Sequence, residues 1–162
     1  MKTMEEARTA LTAYLRRHGL GAVTAWEEGP RRRPGQAVAA VSLRSMESGP
    51  PGFQDYLGER WDEAGGRWLE RYGKKVTLTF GLDLYAATAD KVQKGLDLLS
   101  AALGEGGPPG LSPLGFSAGE TVYQAPMKQY FCPVQARFSA WAVTEAGEDG
   151  SFLDFELKGE FQ

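Results

Sequence analysis

The sequence predicts an α+β domain, with a mostly antiparallel sheet and two main helices packed on one face, in the order α-β-β-β-α-β-β-β. Three observations carry this expectation. Met4–His18 and Thr88–Leu103 repeat apolar residues at steps of three and four. Lys75–Tyr85 alternates strictly, with Val76, Leu78, Phe80, Leu82 and Leu84 on one side. The last third strings strand-like segments together through turns, as antiparallel neighbours allow.

The elements follow in order. Thr3 and Glu6 form a capping box ahead of a stripe made by Met4, Ala7, Leu11, Leu15 and His18. Arg16 and Arg17 oppose the negative end of the helix dipole, and Gly19 stops the helix, leaving His18 as a partly exposed end residue. Val23–Trp26 is a short strand, followed by a loop from Gly29 to Gly35 bounded by breakers. Ala37–Met46 is a strand of small residues, apolar on both faces at its start, which suits close cover by a helix.

Glu47–Gly66 shows no periodicity and holds seven Gly and Pro residues, so an irregular excursion is expected there. It also carries Phe53, Tyr56, Leu57 and Trp61, which must fold back onto the domain or meet another subunit. After the strand Lys75–Tyr85, Thr88 caps the second helix, in which Val92, Leu96, Leu99 and Leu103 share a face. Gly104–Pro113 ends it. Leu114–Gln124 reads as a strand interrupted at Gly119. Gln129–Val143 reads as a long strand with a bulge or an edge at Pro133, because proline donates nothing to a ladder. A turn at Glu145–Gly150 and a closing strand Phe152–Phe161 complete the chain.

Composition narrows the function. The 162 residues fit one domain, 1–162, with 42% hydrophobic and 24% charged residues, which argues against wholesale disorder. The net charge of −3 argues against a strongly basic nucleic-acid binder. A single cysteine, Cys132, excludes an intramolecular disulfide, and with one histidine a structural zinc site is not expected. No segment reaches the roughly 18 apolar residues of a spanning helix, and the charged N-terminus lacks a signal peptide's apolar run, so residence on the cytoplasmic side is expected.

No catalytic constellation is visible, and neither a cofactor nor a metal is expected. Walker, G-x-G-x-x-G and G-x-S-x-G patterns are missing from the sequence. The adjacent acids Glu27-Glu28, Asp62-Glu63 and Glu148-Asp149 point to opposite faces of a strand or to solvent, a poor arrangement for paired acid–base work. Cys132 sits among strand residues as a small hydrophobe. Two features remain. Arg31, Arg32 and Arg33 form a basic cluster suited to a solvated loop, to phosphates or to an acidic neighbouring subunit. Trp26, Trp61, Trp68 and Trp141 are numerous, and tryptophan concentrates at the energetic centres of interfaces. Phe53, Tyr56, Leu57, Trp61 and Trp68 are therefore the candidate subunit interface.

The order of Met4–His18, Ala37–Met46, Glu47–Gly66, Lys75–Tyr85, Thr88–Leu103 and Gln129–Val143 resembles the tail terminator, or tail completion, proteins of long-tailed phages. The segments YGKKVTLTFGLDLYA and FCPVQARFSAWAV look like proteins of contractile-tailed prophages and phage-tail-like particles. The resemblance covers most of the chain and rests on element order and strand character. It implies a structural virion protein, not an enzyme, that forms a homohexameric ring on the tail tube. Such a ring ends tube and sheath polymerisation and offers a head–tail joining surface. It also implies as partners the tail tube, the tail sheath and the neck or head–tail connector proteins, with non-specific contact to DNA in the lumen; Arg31, Arg32 and Arg33 are the candidates for a lumen or neighbour contact. The implied location is the tail–neck junction, after assembly in the host bacterial cytoplasm. Alternatives are another neck component, or a small-ligand-binding or enzymatic α+β domain.

Overall fold

A computed structural model describes residues 3–24, 35–49, 55–146 and 152–158. The chain forms helix α1 (Met4–Arg17), strands β1 (Gly21–Val23), β2 (Val38–Gly49), β3 (Tyr56–Asp62) and β4 (Arg67–Ala86), and helix α2 (Ala89–Glu105). Strands β5 (Ser112–Ala118), β6 (Val122–Gln124), β7 (Gln129–Cys132), β8 (Val134–Ala146) and β9 (Phe152–Lys158) complete one sheet. The α+β class, the helix–strand order and the mostly antiparallel pairing are as the sequence predicts, with β1 and β2 the parallel exception.

Two long strands form the spine. β4 has 20 residues, roughly 65 Å at the usual rise per residue. β7 and β8 run antiparallel beside it and keep one register from Tyr130↔Ala86 to Ala146↔Glu70. Of the bulge or edge expected at Pro133, no bulge forms: the proline makes a gap in the strand. It falls where the outer neighbour changes from β6 to β5, so the missing donor interrupts pairing without shifting it. On the other side β4 pairs first with β3 and then with β2.

The helices cover only half of this spine. Thr3 accepts the Glu6 N–H at 3.1 Å and Thr88 accepts the Lys91 N–H at 3.3 Å, so both helices start where the caps predict. Ala7, Leu11 and Leu15 of α1 and Val92, Leu99 and Ala102 of α2 pack on Val41, Leu78, Phe80, Leu82 and Leu84. The Tyr14 hydroxyl donates to the Ala102 carbonyl at 2.7 Å and joins the two helices. At Gly95 a Cβ would stand 2.5 Å from that of Ala37, so α2 approaches β2 through a missing side chain. The main core includes β4 residues from Val76 to Ala86 and none from residues 67–75. The far half of the sheet, residues 56–74 with the end of β8 and with β9, extends past the helices as an arm.

In the arm the buried side changes face. β4 has no register shift against β8, so odd and even residues keep their faces along its length. Yet Val76 to Ala86 bury even residues, whereas Leu69, Arg71 and Gly73 are buried on the odd side. Leu57 packs over Gly73 on that side, and Val143 is buried opposite Gly73.

The irregular excursion expected at Glu47–Gly66 is overturned. Residues 47–49 continue β2, and Tyr56–Asp62 is a strand paired with Arg67–Tyr72. The glycines fall at the bends: Gly58 has φ +112° at the β3 bulge, and Gly66 has φ +59° in the turn. β4 starts at Arg67, eight residues before the expected Lys75, and β8 continues through Glu145, where a turn was expected. The first strand is Gly21–Val23, two residues earlier than the expected Val23–Trp26; Thr24 is a bend, and Ala25 and Trp26 lie outside the described residues. The strand expected over Leu114–Gln124 is divided into β5 and β6 near Gly119.

Candidate functional site

The β3–β4 hairpin carries an exposed band on its even face. Trp61 faces Trp68 and Tyr56 faces Tyr72 across the ladder, with ring centroids 5.4 and 5.6 Å apart in edge-on geometry. Trp61, Trp68 and Tyr56 are 47%, 54% and 47% exposed. Between the two aromatic pairs Glu59 lies directly opposite Glu70, both exposed. The Tyr72 hydroxyl donates to Glu70 at 2.5 Å, and this bond, followed by burial, pushes its pKa up. The Tyr56 hydroxyl is also raised, first by burial and then by the charges of Glu59 and Glu70.

The opposite face holds this hairpin in place. Arg60 donates to both oxygens of Glu145 at 2.9 and 2.6 Å, so β3 is tied to β8 across β4. Arg71, nearly buried beneath them, brings its Nε within 3.8 Å of the same carboxylate. The hydrogen bond to Glu145 is the first cause that raises the Arg60 pKa. Gly73 N–H donates to the Asp55 carbonyl at 2.7 Å and fixes the start of β3.

Of the five residues expected at an interface, the fold brings Tyr56, Trp61 and Trp68 together on one exposed face. Leu57 is separated from them, half-buried on the other side against Gly73. Phe53, Trp26 and Arg31, Arg32 and Arg33 lie outside the described residues. Glu59, Glu70 and Tyr72 were not singled out by the sequence reading. The available signal was Trp68-Leu69-Glu70-Arg71-Tyr72, which alternates aromatic and acidic residues on one side of a strand.

The single histidine and the single cysteine are both engaged. His18 caps α1, with Nδ1 2.9 Å from the Tyr14 carbonyl and Nε2 3.1 Å from Glu105. Cys132 is buried, and burial is the first cause that raises its thiol pKa. Shallow hollows of about 280 Å³ at Leu114, Phe116, Gln135 and Arg137 and about 490 Å³ along residues 106–113 are open to solvent. Among the described residues no group of three or more His, Cys, Asp or Glu is placed to hold a metal ion. No described helix is long and apolar enough to cross a membrane. No protein-family model matches the chain, and no curated protein matches it.

Proposed function

We propose that this chain is a structural subunit of a phage tail or phage-tail-like particle, closing into a homohexameric ring that caps the tail tube. The observation that carries the reading is the exposed aromatic face of an arm that reaches past the helix-covered core. A lone subunit has little use for two edge-on aromatic pairs on such a projection, whereas a subunit interface buries them. An aromatic side chain buries roughly 150–250 Å² in full, and about half of that is still exposed on Tyr56, Trp61 and Trp68 for a neighbour to cover. Among the described residues the sheet leaves strand edges unpaired, and a ring requires a heterologous interface that closes.

In this reading the ring ends tube and sheath growth and presents a surface to the neck. Its partners are its own copies and the tail tube, tail sheath and head–tail connector proteins. The resemblance of element order to tail terminator proteins supports it, and no step of the reading requires a reaction at this chain.

The test is the double substitution Trp61→Ser with Trp68→Ser. The monomer should stay folded, while finished tails fail to form or tubes grow to uncontrolled length. Electron microscopy of tails made with the variant reads this directly. A particle reconstruction should place the protein with sixfold symmetry at the tube end. Threefold or twelvefold symmetry refutes the hexamer, and a position against the portal moves the chain to another neck role.

A further inference from the structure

We infer that the acidic and aromatic face of the arm receives the Arg31-Arg32-Arg33 segment of a second copy, joining copies head to tail. The inference rests on the self-assembly in the reading above and not on what the ring caps.

The arm face is built for a cation. Glu59 and Glu70 oppose each other directly, an arrangement that destabilises a sheet by itself. Among the described residues the cation on this face is Lys74, and it lies 3.7 Å from Asp55. The two carboxylates are flanked on either side by Trp61–Trp68 and Tyr56–Tyr72. A guanidinium meets both features, since its planar fork pairs with carboxylates and its face stacks on aromatic rings. The chain itself contains the complementary run, three successive arginines between Pro30 and Pro34.

Reach excludes docking within one chain. Val38, which follows the arginine segment, pairs with Tyr85 at the other end of β4. Glu70 lies fifteen residues from Tyr85 along that strand, roughly 50 Å at the rise of a β-strand. Arg31 lies seven residues before Val38, a span of at most about 25 Å even when fully extended. The arginines therefore meet an arm face only on another molecule. A segment tethered to Val38 that meets the arm of another copy makes a heterologous contact, the kind that propagates until it closes into a ring.

The test mixes full-length variants. Glu59→Cys protein and Arg32→Cys protein, combined under mild oxidation, should give a disulfide between the two variants at least tenfold above either homodimer. Charge reversal, Glu59→Arg with Glu70→Arg, should weaken self-association about tenfold or more at low salt, and less at 0.15 M, where screening acts over about 8 Å. Reversal of Arg31, Arg32 and Arg33 to Glu should do the same, and mixing the two reversed proteins should restore association. The milder pair Glu59→Gln with Glu70→Gln should melt no lower than the parent yet associate more weakly. Equal homodimer trapping, no trans disulfide at millimolar protein, or association indifferent to these charges would overturn the inference. Sixfold tail ends built normally from reversed variants sink this pairing and leave the tail reading intact. Trans trapping without any tail defect does the opposite.

Discussion

Asp83 supplies the acceptor for Val134: its Oδ1 takes the Val134 N–H at 3.1 Å, one residue past Pro133. Its other oxygen accepts from Arg44 at 2.7 Å. The carboxylate thus carries the ladder across the one position of the β7–β8 line that has no donor. Asp83→Ala should cost about 1–3 kcal/mol, the usual penalty for a buried donor left unpaired. Asp83→Asn should cost less, because an amide oxygen can still accept from Val134. Urea denaturation midpoints separate the two, and equal losses would place the effect on Arg44 instead.

Gly95 and Gly104 should respond oppositely to alanine. Both lie in α2, where alanine gains up to about 1 kcal/mol over glycine. At Gly104 a Cβ meets nothing within 4 Å, so Gly104→Ala should raise the melting temperature slightly. At Gly95 the added carbon collides with Ala37, so Gly95→Ala should cost about 1–3 kcal/mol from overpacking. Beneath them, Phe80→Ala should cost about 3–5 kcal/mol, since Phe80 is fully buried against Phe138. A neutral Gly95→Ala would mean that α2 slides freely on β2.

Glu145 anchors the arm more than Arg60 does. Arg60→Ala removes a half-exposed partner and should cost less than about 1 kcal/mol. Glu145→Ala takes the carboxylate from Arg60 and from beside the nearly buried Arg71 guanidinium together and should cost more, about 1–3 kcal/mol. Hydrogen exchange of β3 amides gives the sharper readout, with protection falling far more in Glu145→Ala. Matched protection in both variants would remove the clamp from the account.

Cys132 should resist thiol reagents in the native protein and react once it is unfolded, because the reactive thiolate is suppressed by burial. The sign for stability follows. A thiol whose folded pKa is raised contributes fully below its unfolded value, about 8.5, and loses that contribution as pH rises through the folded one. Tyr14, raised first by burial, acts in the same direction at higher pH. The melting temperature should therefore hold through neutrality and fall on the alkaline side. Stoichiometric native labelling at pH 7 would contradict the buried placement.

The sequence by itself determined the helices, their caps, the core strand and the antiparallel class, because those signals are local. Thr3 and Thr88 cap, the apolar stripes repeat with helical period, and Val76 to Leu84 alternate without interruption. The arm was hidden because neither of its faces is uniformly apolar. Trp68, Glu70 and Tyr72 share one side while Leu69 and Arg71 share the other, so the two-residue period is present in the backbone but absent from hydropathy. Glycine and proline between residues 47 and 66 read as breakers, although Gly58, Gly65 and Gly66 serve a bulge and a turn. Only the tertiary structure decided that Arg67–Tyr72 supplies β3 with a partner, that the buried side changes face beyond Lys75, and that Tyr56, Trp61 and Trp68 converge while Leu57 turns away. Strand pairing joins residues distant in sequence, and which face is buried depends on what lies over it, namely the two helices at one end of the spine and the Arg60–Glu145–Arg71 cluster at the other.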